Sequence, residues 1–219
     1  MNSSRIELDV PGGPAEAFLA TAPGWPPGPA VIVIQEWWGL NAHVESLAGR
    51  LAEDGFAALA PDLYHGRQTT EPDEAQKMMM ALERDAALAD LRAAVSWLME
   101  NGATRVGVTG FCMGGGLAWE LALTDDRVTA VAPFYGRVEF GERRVRVPFQ
   151  AHYAAHDGFD PAMYGAIRAH LGDVAGSEFH WYPDASHAFM NDTRPEVYRA
   201  DDAAAAWDRL VSFFHAQLN

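Results

Sequence analysis

The sequence predicts a single α/β domain with a mostly parallel central sheet and helices on both of its faces. Three observations carry that expectation. Short apolar runs such as Val31-Ile32-Val33-Ile34 show no polar alternation, as suits strands covered on both sides. Between the runs lie longer segments with apolar residues at helical spacing, so strand and helix alternate along the chain. The 219 residues are 49% hydrophobic and hold one cysteine, Cys112, so a large core is available and no internal disulfide is.

The elements follow in order. "RIELDV" and "AEAFLA" flank a Pro-Gly-Gly turn and predict a hairpin at the sheet edge over about 5–20. "TAPGWPPGPA" is a turn-rich connection into the buried strand that ends at Ile34. Val44, Leu47, Ala48 and Leu51 mark a helix between an Asn41 cap and a stop at Gly55. "FAALAP" is a short strand. A helical stretch from about Asp73 to Glu100, broken once, stops at Gly102. "RVGVTG" is the next strand and Met113 to Leu123 the next helix. "VTAVAPFYG" and "VPFQAHYAA" are further strands, "PAMYGAIRAHLG" a helix and "EFHWYP" the last strand. The final helix, from about Val197, shows Trp207, Leu210, Val211, Phe214 and Leu218 on one face.

Charge and composition exclude several classes. Sixteen basic residues stand against 30 acidic ones, a formal charge of −14, which disfavours nucleic acid and anionic membrane as partners. No run approaches the ~18 apolar residues of a membrane span, the N-terminus shows no signal-peptide core, and one cysteine suits a reducing compartment. The expectation is a cytoplasmic protein, with a monomer plausible.

In parallel sheets the working groups gather beyond the carboxyl ends of the strands. Glu36 stands at such an end, against Trp37 and Trp38, and an acid walled by aromatic surface needs a reason. The strongest chemical signal is Gly110-Phe111-Cys112-Met113-Gly114, set between a strand and a helix. It is a nucleophile elbow with cysteine in the usual serine place: the tight turn demands small residues two positions either side. There the helix N-terminus favours thiolate, and the Met113 backbone N–H points to where an oxyanion would form. The alternative is a small buried cysteine at a glycine-rich turn.

A thiol nucleophile needs a base, and the base an orienting acid. Asp157 at the end of "AHYAAHDGFD" and His187 in "YPDASHAFM" follow in the right order, each at a strand end. Asp157 as a turn residue and Asp160 as a rival acid remain open, although Asp160 before Pro161 suits a helix cap. His170, His180 and His215 fall within predicted helices or strands. His152 and His156 with Asp157 and Asp160 do not make a metal site, because a strand does not bring residues four apart together and no matching cluster of ligands exists. The triplet Met78–Met80 reads as packing. Trp37, Trp38, Tyr64, Phe111, Phe189 and Asn191 are candidates for the wall of a substrate pocket.

Over nearly its whole length the chain resembles the dienelactone hydrolase (carboxymethylenebutenolidase) family of α/β-hydrolases. The matching segments are "VIVIQEWWGLN", "FAALAPDLY", "GVTGFCMGGG", "AHYAAHDGFD" and "WYPDASHAF". The resemblance implies a Cys112–Asp157–His187 triad with no cofactor or metal, and the Trp37 N–H beside that of Met113 in the oxyanion hole. It also implies that Glu36 pairs with the resting thiol and helps it ionise when substrate arrives. The sequence departs from the family at the arginines that hold a substrate carboxylate. Asn191 stands four residues beyond His187, and ungapped registration of the other place falls near Pro72, with Arg67 and Lys77 out of register. The expectation is therefore a cysteine hydrolase of a small ester or lactone that lacks the carboxylate clamp. The rivals are an acyl- or thioester-processing transferase on the same triad and a non-catalytic binding protein on the same fold.

Overall fold

The strand that ends at Ile34 lies in the middle of the sheet. A computed structural model covering Met1–Asn219 contains eight strands: β1 (Asn2–Leu8), β2 (Ala15–Thr21), β3 (Gly28–Ile34), β4 (Ala57–Pro61), β5 (Ala103–Phe111), β6 (Val128–Phe134), β7 (Gln150–His156) and β8 (Glu178–Ser186). They form one sheet in the order β1-β2-β4-β3-β5-β6-β7-β8. β1 and β2 form the expected edge hairpin, β2 runs antiparallel to β4, and every later pairing is parallel.

Six helices complete the α/β-hydrolase fold: α1 (Ala42–Glu53), α2 (Pro72–Ala81), α3 (Arg84–Glu100), α4 (Met113–Thr124), α5 (Pro161–Ala169) and α6 (Ala200–Leu218). α1 starts where Asn41 accepts a hydrogen bond from the Val44 N–H. The predicted break in the long helix falls at Leu82 and Glu83, both extended, and separates α2 from α3. α6 begins three residues later than the sequence suggested, because turns from Asn191 to Arg199 return the chain before the helix starts.

Alternation within β3 sorts the core. Ile32 and Ile34 join the α3, α4 and α5 layer, through residues such as Leu91, Trp119 and Ile167. Val31 and Val33 face the α1 and α6 layer, with Leu47, Trp207 and Phe214. Both faces of the central strands are thus dry, which explains why these segments are apolar without alternation. The carboxyl ends of β3, β5, β6, β7 and β8 open on the same edge of the sheet, and the chemistry-bearing residues collect there.

Candidate active site

Backbone contact fixes the elbow. Cys112 links β5 to α4 with φ 56° and ψ −116°, a strained conformation for a residue with a side chain. Its N–H donates to the Phe134 carbonyl at 3.1 Å, which ties the turn to the end of β6. A Cβ on Gly110 would sit 2.2 Å from the Gly114 carbonyl oxygen, and one on Gly114 2.4 Å from that of Ile34. Side chains are sterically excluded at both positions, so the small residues flanking the cysteine are a condition of the turn. Gly115 extends the same contact to β6, where its Cβ would meet the Phe134 oxygen at 2.4 Å. Met113 opens α4, so its N–H has no acceptor within the helix.

His187 and Asp157 come together as the chain order suggests. His187 Nδ1 lies 3.1 Å from Asp157 Oδ1, and the other carboxylate oxygen accepts the Ala154 N–H at 2.7 Å. The Asp157 side chain is fully enclosed while His187 is one-third exposed. Burial pulls the imidazole down, but Asp157 and the neighbouring Cys112 sulfur outweigh it and raise His187 to about 10. Asp160 is not the orienting acid: it caps α5, accepting the Ala162 N–H at 2.8 Å.

Glu36 is buried at the end of β3, and burial lifts its carboxyl above the usual range. Its hydrogen-bond partner is Asn191 Nδ2, 2.7 Å from Oε2, and it makes no hydrogen bond to Cys112. Tyr135, which the sequence reading did not single out, sits at the end of β6 with φ 38°. Its ring packs edge-on against His187 at 4.9 Å, and burial followed by Glu36 holds its phenol well above the ordinary value. The signal for it was a tyrosine before glycine at a strand end, in "PFYG".

These groups share one cavity of about 450 Å³, lined in part by Glu36, Trp37, Trp38, Cys112, Tyr135 and His187. Of the pocket residues expected from sequence, Trp37 and Trp38 line it and four others do not. Phe111 and Phe189 are core residues, Phe111 stacked on Phe134 at 4.8 Å and Phe189 against Tyr182 at 4.6 Å. Alternation at the strand end turns Phe111 away from the cavity. Tyr64 lies behind the wall, its hydroxyl donating to Met113 Sδ at 3.3 Å. Asn191 is spent on Glu36. The rest of the wall was not anticipated: Met79 and Leu82 from α2 and the break after it, Leu117 from α4, and Phe159.

Three arginines also reach the cavity: Arg84, Arg137 and Arg194. Ungapped registration missed them, since they come from the start of α3, the loop after β6 and the loop after β8. Each faces a carboxylate: Glu120 at 2.5 Å from Arg84, Glu139 at 2.7 Å from Arg137 and Glu196 at 2.8 Å from Arg194. Arg67 and Lys77 do not line the cavity and lie near Glu74. His152 is a core residue, bonded to Tyr182 and Gln150 at 2.8 and 2.9 Å, while His156 is exposed. No helix is long and apolar enough to cross a membrane.

Comparison with known proteins places this architecture. Residues 15–218 match the dienelactone hydrolase family. "Protein usf" of Aquifex pyrophilus is 34% identical, over 97% of this chain and 98% of its own length. The Aquifex aeolicus protein named "Putative carboxymethylenebutenolidase" is 32% identical over the same shares. Among solved structures, a dienelactone hydrolase-like promiscuous phosphotriesterase from metagenomic libraries superimposes with a TM-score of 0.89 over 100% of this chain and 99% of that one. At 22% identity that likeness speaks for the fold alone. With its whole sheet, its elbow and nearly its whole length accounted for, the chain belongs to the dienelactone hydrolase family and is a carboxylic ester hydrolase.

Proposed function

We propose that the protein cleaves a small-molecule ester or lactone by covalent catalysis at Cys112. The observation that carries the reading is the convergence of the strained Cys112 turn and the Asp157-held His187 on one largely apolar cavity. In this scheme His187 takes the thiol proton and Asp157 stabilises the resulting imidazolium. The thiolate attacks the carbonyl carbon, forming a C–S bond, and the carbonyl electron pair moves onto oxygen. The Met113 and Trp37 N–H groups hold that oxyanion. The adduct collapses to a thioester, the C–O bond breaks, and His187 protonates the departing alkoxide or enolate. Water then adds to the thioester with His187 as base, releasing the acid and the thiolate.

A thiolate is itself a good leaving group, so the first adduct reverts readily unless the oxygen leaving group is also good. Lactones and enol or aryl esters suit this site better than amides. Glu36 is proposed as a second proton partner for the thiol. Its raised carboxyl, buried beside the same cavity, supports exchange of a proton with sulfur. Its bond to Asn191 gives it a resting position off the thiol.

The test is hydrolysis of an aryl acetate, an enol-lactone and a dienelactone by wild type and Cys112→Ala. The expected outcome is turnover that falls by about 10⁴-fold or more without the thiol, as for other nucleophile deletions. Undiminished turnover in Cys112→Ala would mean that another group carries the reaction.

A further inference from the structure

The enclosed side of the site contains polar atoms that the triad does not use. Glu36 is 2% exposed, and Oε1 has no hydrogen-bond partner. His43, in the first turn of α1, is equally enclosed, its side chain 3% exposed. His43 Nδ1 lies 3.0 Å from Asp192 Oδ1, and Nε2 is buried with no partner. Asn191 and Asp192 are consecutive, so one turn of chain holds the Glu36 carboxylate through the first and the His43 imidazole through the second. Unpartnered buried polar atoms cost about 1–3 kcal/mol each, and a residue kept only for packing would not need to carry one.

We infer that His43, oriented by Asp192, is a positioning residue that sets the charge of Glu36. The inference rests on the proposed role of Glu36 as proton partner of the thiol. The groups that act on the Glu36 charge are His43 from α1, Tyr135 from the end of β6, and His187, Asn191 and Arg194 from the loop after β8, with Asn191 in direct hydrogen bond. Burial pushes the carboxyl up, and among the groups that oppose burial His43 acts most strongly, ahead of Asn191, His187 and Arg194. The last two have other carboxylates to serve: His187 faces Asp157 and Arg194 faces Glu196. His43 has Asp192 on its outer side, and that carboxylate is 60% exposed. The site thus holds two imidazole–carboxylate pairs. His187–Asp157 acts on the sulfur and His43–Asp192 on the acid beside it. With His43 opposing the effect of burial, Glu36 is kept as an anion able to accept the Cys112 proton. The transfer leaves a thiolate and a neutral carboxylic acid, with His43 unchanged.

The experiment is an infrared pH titration of the Glu36 carboxyl, its band assigned by loss in Glu36→Gln, in wild type, His43→Gln and Asp192→Asn. In parallel, the pH profile of Cys112 alkylation by iodoacetamide is read in the same proteins and in a Glu36→Gln/His43→Gln double variant. His43→Gln is expected to move the Glu36 midpoint up by about one pH unit or more, tenfold in its proton equilibrium. Asp192→Asn moves it the same way by less, and being a substitution at a mostly exposed side chain it carries the test should His43→Gln fail to fold. In the alkylation profile His43→Gln has no effect once Glu36 is already Gln. A Glu36 midpoint unmoved in both variants overturns the inference, as does an alkylation change of equal size with and without Glu36. An alkylation profile unaltered by Glu36→Gln alone refutes the role of Glu36 toward the thiol, and the infrared midpoint still decides the role of His43.

Discussion

The two sides of the cavity are built by different means. On one side stand the elbow and the strand ends, where backbone touches backbone: Gly110 against Gly114, Gly114 against Ile34, Gly115 against Phe134. On the other stand Met79, Leu82, Arg84, Arg137, Phe159 and Arg194, long side chains from helix ends and loops. A backbone contact of this kind tolerates one residue type and admits almost no adjustment. A rim of flexible side chains can change composition while the sheet beneath stays as it is. The difference teaches where chemistry and selectivity are stored in this fold. On the proposed mechanism the reaction depends on the packing of β5, α4 and β6, and the choice of substrate on the rim.

Breaking the rigid side has the largest expected effect. In Gly115→Ala the new methyl would lie 2.4 Å from the Phe134 oxygen and 2.9 Å from Gly136 Cα, both backbone atoms, so α4 and β6 must part. The expected cost is about 3 kcal/mol or more, since the methyl overpacks against backbone atoms that cannot turn aside as a side chain would. For a chain of this size that lowers Tm by roughly 6–12 °C. Hydrolysis should fall by about 10²-fold or more, because the proposed oxyanion donor Met113 moves with the elbow. Gly165→Ala is the comparison: it is exposed on α5 with nothing within 4 Å of its Cβ, and should be stabilising by about 0.5–1 kcal/mol. Calorimetry on the two variants checks both signs.

Asp157→Asn sharpens the comparison by altering charge without altering shape. The Ala154 N–H already donates to Oδ2, so the asparagine places its oxygen there and turns its NH₂ toward His187 Nδ1. The imidazole is then held in the wrong tautomer, and turnover should drop by about 10²- to 10⁴-fold. The titration follows with a definite sign. His187 in the folded protein is raised to about 10, above the ~6.5 of an unperturbed histidine. Its contribution to stability is therefore complete below about pH 6.5 and lost as pH rises through about 10. The difference in Tm between wild type and Asp157→Asn should be widest near pH 6 and shrink toward pH 10. An NMR titration of the His187 ring should show its midpoint falling once the carboxylate is gone.

The same division decides what the sequence disclosed. All eight strands were legible because buried strands leave apolar runs bounded by turn residues, and the elbow because its glycines are demanded by local sterics. Asp157 and His187 were legible from chain order and their places at strand ends, and the structure brings them within hydrogen-bond distance. The pocket wall was not. Phe111 and Phe189 have the composition of a lining, but strand alternation and the fold of the loop after β8 send them into the core. Asn191 marks the loss of an arginine at one position, yet Arg194, three residues on, reaches the cavity from the same loop. Which side chain of a loop crosses a rim is set by tertiary geometry, and no periodicity reports it.

The rim should show the smallest effects, and they should be effects on choice and not on rate. Arg84 and Arg194 each bring a cation to the cavity, but each already lies beside a glutamate, Glu120 or Glu196. An anionic substrate must share them with those carboxylates, so the attraction gained per arginine is modest, within the ~0–1 kcal/mol of exposed ion pairs. Arg84→Met and Arg194→Met should change stability by no more than about 0.5 kcal/mol. Against a pair of esters matched in size, one neutral and one carrying a carboxylate, each should lower kcat/KM for the anion by about 2- to 5-fold and leave the neutral ester alone. The loss should reside in KM, since a contact remote from the carbonyl holds ground state and transition state alike. A fall of 10²-fold or more for the anion would mean that substrate displaces the glutamates and claims the arginines outright. The rim would then select one ligand as strictly as the elbow selects one nucleophile.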